Sequence, residues 1–223
     1  MKYLLACLLS LVLAAAAAAQ PVAWQTRPEA GIPRLGGPLP VQGIPINSNR
    51  LDGLSRSWVE SQYQLYAQTI VALNRVLRRN PQKPADRSLA LQLFNRQALY
   101  FGFLENLGGS GPPNQGPILR MLQQEGLDWE AWQAQVLELA EYLKGGSGWI
   151  IWEYNLLSHS TGLYPAQDET DLRLGSIPLL VLNLNRSAYQ PVSGEDVAEY
   201  TRRLLANLRW SSVAARLAIL GIL

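Results

Sequence analysis

The chain has 223 residues, with 19 Lys+Arg against 17 Asp+Glu, a formal charge of +2, and 48% hydrophobic residues. That length can bury an apolar core as one domain or two packed layers, and so small a charge gives no argument for nucleic acid or an anionic membrane as partner. One Cys and one His in the whole sequence exclude a disulfide framework and any cage needing several thiolates or imidazoles.

Residues 1–19 read as a secretory signal peptide. Lys2 is the positive start, Leu4 to Leu13 the apolar stretch, and Ala14 to Ala19 the small residues before cleavage. The apolar run is too short to span a bilayer, so no membrane span is expected after cleavage. A lipobox reading around Leu4-Leu5-Ala6-Cys7 leaves almost no apolar region ahead of the cysteine. Export to the periplasm or outside the cell is the expectation, and the mature chain then loses Cys7.

Residues 20–53 are rich in Pro and Gly, with Pro21, Pro28, Pro33, Pro38, Pro40 and Pro45. They read as an arm over the domain surface. Residues 54–110 read as a helical hairpin. The first helix runs from Leu54 to Arg79, with a stripe of Trp58, Leu65, Ala72 and Val76 and with Ile70, Leu73 and Leu77 beside it. Asn80-Pro81 stops it. Asp86 caps a second helix to Leu107 carrying Leu89, Leu93, Leu99 and Phe103. Arg75, Arg78 and Arg79 suit a helix C-terminus.

Residues 111–223 read as an α+β part after the loop Gly108 to Pro117. Helices are expected over Ile118 to Gln124 and Asp128 to Lys144, the latter burying Trp132, Val136, Leu139 and Leu143. Three strands follow at Trp149 to Tyr154, Leu156 to Thr161 and Ile177 to Leu184. Ser193 to Asp196 opens a helix to Asn207, and Ser211 to Leu220 forms a last short one. The fold class expected is α+β, a helical hairpin followed by a part with a three-stranded antiparallel sheet.

Among candidate sites, His159 with Glu153, Asp168 and Glu169 has no metal-ligand spacing. Ser158-His159-Ser160 lacks a nucleophile elbow. Of the seven tryptophans, Trp58, Trp132, Trp149 and Trp210 read as core. Trp24 lies in the arm, and Trp129 and Trp152 are candidates for exposure.

Pro178, Leu179, Leu180, Leu182, Ala188 and Tyr189 match a segment written P-L-L-G-L-D-V-W-E-H-A-Y. Ser147-Gly148-Trp149, Ala166-Gln167-Asp168, Phe103 to Leu107, and Arg209-Trp210 with Val213, Ala214 and Arg216 match further motifs in the same order. The chain from Leu54 to Arg216 thereby resembles the iron/manganese superoxide dismutase family. The resemblance implies that family's fold and, at its four metal-ligand positions, Ser61, Tyr100, Asn183 and Ser187. The family needs three histidines and an aspartate there, so the implied cofactor is none, with iron or manganese through atypical ligands as the alternative. Leu65 and Thr69 fall at the substrate-funnel positions. Arg186 replaces the glutamate of the usual dimer bridge, which leaves a homo-oligomer open but without that bridge.

The resemblance therefore implies an exported superoxide dismutase-like protein lacking dismutase activity, with a structural, binding or regulatory role. A divergent dismutase is one alternative. The other is a small-molecule binder using a remnant pocket of Ser61, Tyr100, Gln167, Asn183, Ser187 and Trp149. The sequence names no partner.

Overall fold

The computed structural model describes residues 38–46, 51–79, 83–109, 111–113 and 116–222. The expected signal peptide, most of the arm including Trp24, and the Asn80-Pro81 stop lie outside them. The chain divides into Met1–Pro38 and Leu39–Leu223, and the architecture below is that of the second unit.

Seven helices and three strands occur among the described residues. Helix α1 spans Arg56–Arg78 and α2 Pro84–Glu105, followed by α3 Gly116–Gln124 and α4 Trp129–Tyr142. The strands are β1 Trp149–Asn155, β2 Ser160–Ala166 and β3 Ser176–Asn183. Then come α5 Arg186–Ser193, α6 Val197–Ala206 and α7 Trp210–Ile219. The sheet is antiparallel in the order β2-β1-β3, so the α+β class expected from the sequence is the one observed.

Strand β1 is buried on both sides from Trp149 to Tyr154, which is why it reads as an unbroken apolar run instead of an alternating one. On one side Val181 of β3 meets α2, where a Cβ on Gly102 would sit 3.2 Å from the valine methyl. On the other, Trp152 meets Trp132 of α4 at 5.6 Å between ring centroids. Trp132 in turn stacks on Trp129 and meets Trp210. Trp152, a candidate for exposure, is thus one of the most buried side chains, with its indole donating to Thr161 Oγ1. Hairpin, sheet and C-terminal helices share one apolar core.

Local chemistry sets the element ends. Ser55 Oγ accepts from Trp58 N at the start of α1, Asp128 Oδ1 from Ala131 N at α4, and Asp196 Oδ1 from Glu199 N at α6. Helix α2 begins two residues ahead of Asp86 with Pro84 in its first turn, a position where the missing N–H costs nothing.

Four expectations need correction. The second strand lies four residues later than expected, because Asn155 Oδ1 accepts from Leu157 N and Ser158 N and His159 adopts a φ of 53°. Residues 156–159 therefore form the hairpin turn. The buried stripe of α1 is Trp58, Val59, Gln62, Tyr66, Thr69, Ile70, Leu73 and Asn74, rotated from the all-apolar stripe because three polar side chains face inward. Leu89 of α2 is exposed, its place taken by Leu93, Leu99, Tyr100, Phe103 and Leu104. Helix α5 was not expected, since Pro191 within it reads as a breaker.

The described part of the arm is held by two asparagines. Asn74 Oδ1 accepts from Leu39 N and its Nδ2 donates to Leu39 O, both at 2.8 Å. Asn207 makes the same pair of contacts with Asp52 N and O, also at 2.8 Å. Leu39, Ile44, Ile46 and Leu51 then pack on the core. Replacing Asn74 by Ala removes both bonds to Leu39 and is expected to cost about 1–3 kcal/mol. Denaturant unfolding and faster amide exchange at Leu39 would register this, with exchange in β1 unchanged.

Candidate functional site

The residues expected to mark the remnant pocket separate into three groups. Tyr100, Trp149, Gln167 and Ser187 line one cleft of about 290 Å3, together with Arg96, Ser147, Asp168, Glu169 and Asn185. Asn183 is fully buried behind it and is not part of its lining. Ser61 is on the exposed side of α1, its hydroxyl donating back to Trp58 O at 2.6 Å.

The residue of α1 that does meet Asn183 is Gln62, one position further on. Asn183 Nδ2 donates to Gln62 Oε1 at 3.0 Å. One residue is a rotation of about 100° on a helix, so placing Ser61 at this position puts the wrong side of α1 inward. The signal available in sequence was the i, i+4 pair Gln62 and Tyr66, continued by Thr69, Ile70 and Leu73.

Asn183 ends β3, where Trp149 pairs with it across the ladder. Its Oδ1 accepts from Asn185 N at 3.0 Å and from Asn185 Nδ2 at 2.6 Å. Asn185 occupies the N-cap of α5 without capping it through its side chain, because that amide is committed to Asn183. A second tie to α1 runs from Trp58 Nε1 to Ala188 O at 2.8 Å. Ser187 is exposed on α5. Arg186 pairs within the chain, with Glu195 at 2.6 Å.

The cleft is walled by Tyr100 set edge-on to Trp149, with ring centroids 5.0 Å apart. Burial raises the Tyr100 phenol above its ordinary range; Arg96 opposes this and Glu169 adds to it. Glu169 is buried and paired with Arg96 at 2.5 Å. Its loop is fixed by Asn95 Nδ2 donating to Glu169 O. Asp168 is held below the usual carboxylate range by the Thr170 hydroxyl and the Thr170 amide. Gln167 is exposed, with its amide N–H donating to Asp171 Oδ2.

Tyr200 of α6 lies fully buried beside Trp58 and Tyr189. Its hydroxyl finds no hydrogen-bond partner among the described residues. Burial first, and then the neighbouring Tyr100, push its pKa well above the ordinary value. Sequence reading passed over this group, since a tyrosine at helical spacing reads as core.

Gln62, Tyr100, Asn183 and Ser187 offer amide, phenol and hydroxyl groups and no imidazole or carboxylate, unlike the three histidines and aspartate of the family they resemble. Among the described residues no three His, Cys, Asp or Glu side chains converge. The His159 grouping separates likewise. His159 sits exposed on the β1–β2 turn with Nδ1 3.2 Å from the Tyr154 hydroxyl. Glu153 is buried in β1, accepting from Ser176 Oγ at 2.5 Å and paired with Arg173 at 3.4 Å. The Arg173 guanidinium in turn covers the Tyr164 ring at 3.9 Å.

With this geometry in view, comparison with known proteins gives two findings. No protein-family profile matches the chain. Over 124 residues, 56% of this chain, it is 26% identical to a curated superoxide dismutase [Fe] from Cupriavidus metallidurans, and it spans 62% of that relative's length. The chain is similar to that dismutase, and its helices and three-stranded antiparallel sheet are consistent with the iron/manganese superoxide dismutase-like fold. No described helix is long and apolar enough to cross a membrane.

Two outcomes follow. Asn183→Asp places an unpaired carboxylate among amides and is expected to lower stability by about 3 kcal/mol or more at neutral pH. The loss shrinks as acid protonates the new group, which denaturation at two pH values would measure. Tyr164 is pushed up to about 12, by burial first and then by Glu153, while an unfolded tyrosine ionises near pH ~10. A raised folded pKa means that this contribution is intact below pH ~10 and is lost as pH rises toward 12. Tyr164→Phe should flatten part of that alkaline fall in unfolding free energy.

Proposed function

We propose that this is a superoxide dismutase-like protein without dismutase activity, whose role is structural, binding or regulatory. The observation that supports it most directly is the Gln62–Asn183–Asn185 amide network. Its central residue, Asn183, stands where the resemblance calls for the metal-ligand carboxylate, and Gln62 and Asn185 supply its hydrogen-bond partners. A buried aspartate freed of its cation would carry a desolvation penalty of several kcal/mol, whereas an amide keeps the shape and needs only hydrogen bonds. Export to the periplasm or beyond belongs to the same proposal and rests on the character of residues 1–19.

Metal analysis of the purified protein, with a superoxide-removal assay, tests this reading. The expected result is far less than one iron or manganese per chain and no superoxide removal above that of free protein side chains. One equivalent of either metal accompanied by dismutation would establish the rival, a dismutase with atypical ligands.

A second reading is favoured by the cleft itself. Arg96, Ser147, Gln167, Asn185 and Ser187 put donors and acceptors around about 290 Å3 of space bounded by Tyr100 and Trp149. That is the make-up of a small polar ligand site. A co-purifying small molecule, whose stabilisation of the melt disappears in Tyr100→Ala, would promote it over a purely structural role.

A further inference from the structure

The chain-wide charge conceals a local asymmetry at the free end of the helical hairpin. Between Val71 and Phe94 stand Arg75, Arg78, Arg79, Lys83 and Arg87, against the single acid Asp86. The rest of the chain then carries more acidic than basic residues. None of Arg75, Arg78, Arg79 and Lys83 pairs with a carboxylate among the described residues. Arginines in the last turn of α1 are expected from the helix dipole, but that term explains neither Lys83 and Arg87 at the start of α2 nor the apolar side chains beside them.

Those apolar side chains are Val71, 50% exposed, Leu89, 44%, Leu91, 62%, and Phe94, 42%. They account for four of the large hydrophobic residues that remain open to solvent, all within two or three turns of the hairpin end. On α1, Val71, Arg75 and Arg78 follow one another at spacings of four and three, on the side opposite Tyr66, Ile70 and Leu73. On α2, Arg87, Leu91 and Phe94 repeat that spacing, on the side opposite Leu93, Tyr100 and Leu104. Residues so spaced share a helix face. Each helix therefore offers a strip of cations and hydrocarbon that the core does not use.

We propose that the α1–α2 end is a docking surface for an anionic lipid bilayer. The cations would meet the phosphate layer while Val71, Leu91 and Phe94 reach the boundary between headgroups and acyl chains. An acidic soluble protein would satisfy the arginines and leave the exposed Leu91 and Phe94 without a role, so the lipid surface accounts for more of the strip.

The test is co-sedimentation of the full chain with vesicles of phosphatidylglycerol and phosphatidylcholine, against vesicles of phosphatidylcholine alone. The expected result is tighter binding to the anionic vesicles, weakening as salt rises. Arg75→Glu/Arg78→Glu/Arg79→Glu should reduce that binding by roughly a hundredfold, and Leu91→Ser/Phe94→Ser by about tenfold. All five positions are exposed, and unchanged thermal melting confirms folding. For any variant that melts early, Arg75→Gln/Arg78→Gln supplies the milder comparison. Attachment through the apolar residues 3–19 would appear equally on both vesicles and in every variant, so it subtracts out. Equal binding to neutral and anionic vesicles overturns the proposal. So does undiminished binding by the arginine variants. Binding to polyglutamate as tight as to anionic vesicles, with Leu91→Ser/Phe94→Ser indifferent, would assign the surface to an acidic protein instead.

Discussion

One buried side chain, Asn183, connects the three parts of the chain that meet behind the cleft. Its amide nitrogen reaches α1 through Gln62, and its oxygen takes both the backbone and the side-chain amide of Asn185. The end of β3, the entry to α5 and the first helix are thereby tied together by hydrogen bonds that individually stabilise by only about 1 kcal/mol. The large apolar core around it must carry most of the cohesion, and the aromatic cluster of Trp129, Trp132, Trp152 and Trp210 lies on the opposite side of the sheet from that junction.

The consequence for chemistry is a separation of roles. The inner network is neutral and made of amides. The outer cleft is open and is lined by charged groups, the Arg96–Glu169 pair and Asp168. Asn185 belongs to both, lining the cleft while its backbone and side-chain amides donate to Asn183.

Much of this was legible from residues. The helical hairpin, the order of elements and β1 followed from periodicity and from Gly, Pro and Asp punctuation, and the buried Trp58, Trp132, Trp149 and Trp210 from apolar helix faces or from their match to the family's motifs. What escaped had identifiable causes. The inward face of α1 is partly polar, so a hydrophobic stripe pointed to Leu65 and Ala72 when Gln62, Thr69 and Asn74 are the buried ones. Ser61, placed from the family motif and not from the stripe, is exposed, while its neighbour Gln62 reaches Asn183. Leu156 and Leu157 look like strand residues, yet the Asn155 side chain satisfies two backbone amides and makes a turn of them. The hydrogen bond from Asn183 to Gln62 joins residues 121 positions apart, which no local pattern encodes.

Asn74 and Asn207 each offer one acceptor and one donor to the N–H and C=O of a single arm residue, reproducing one rung of a β-ladder with a side chain. Such a clasp recognises main chain and asks of the clasped residue only an N–H, which proline lacks. Exposed Asp52 is otherwise unconstrained by it, whereas Leu39 also packs on the core. The two asparagines have no such freedom. The described residues of this proline- and glycine-rich strap are thus held by side chains outside it, with Tyr63 on Gln42 O, Arg209 on Pro45 O and Arg203 on Gly53 O adding to the two clasps.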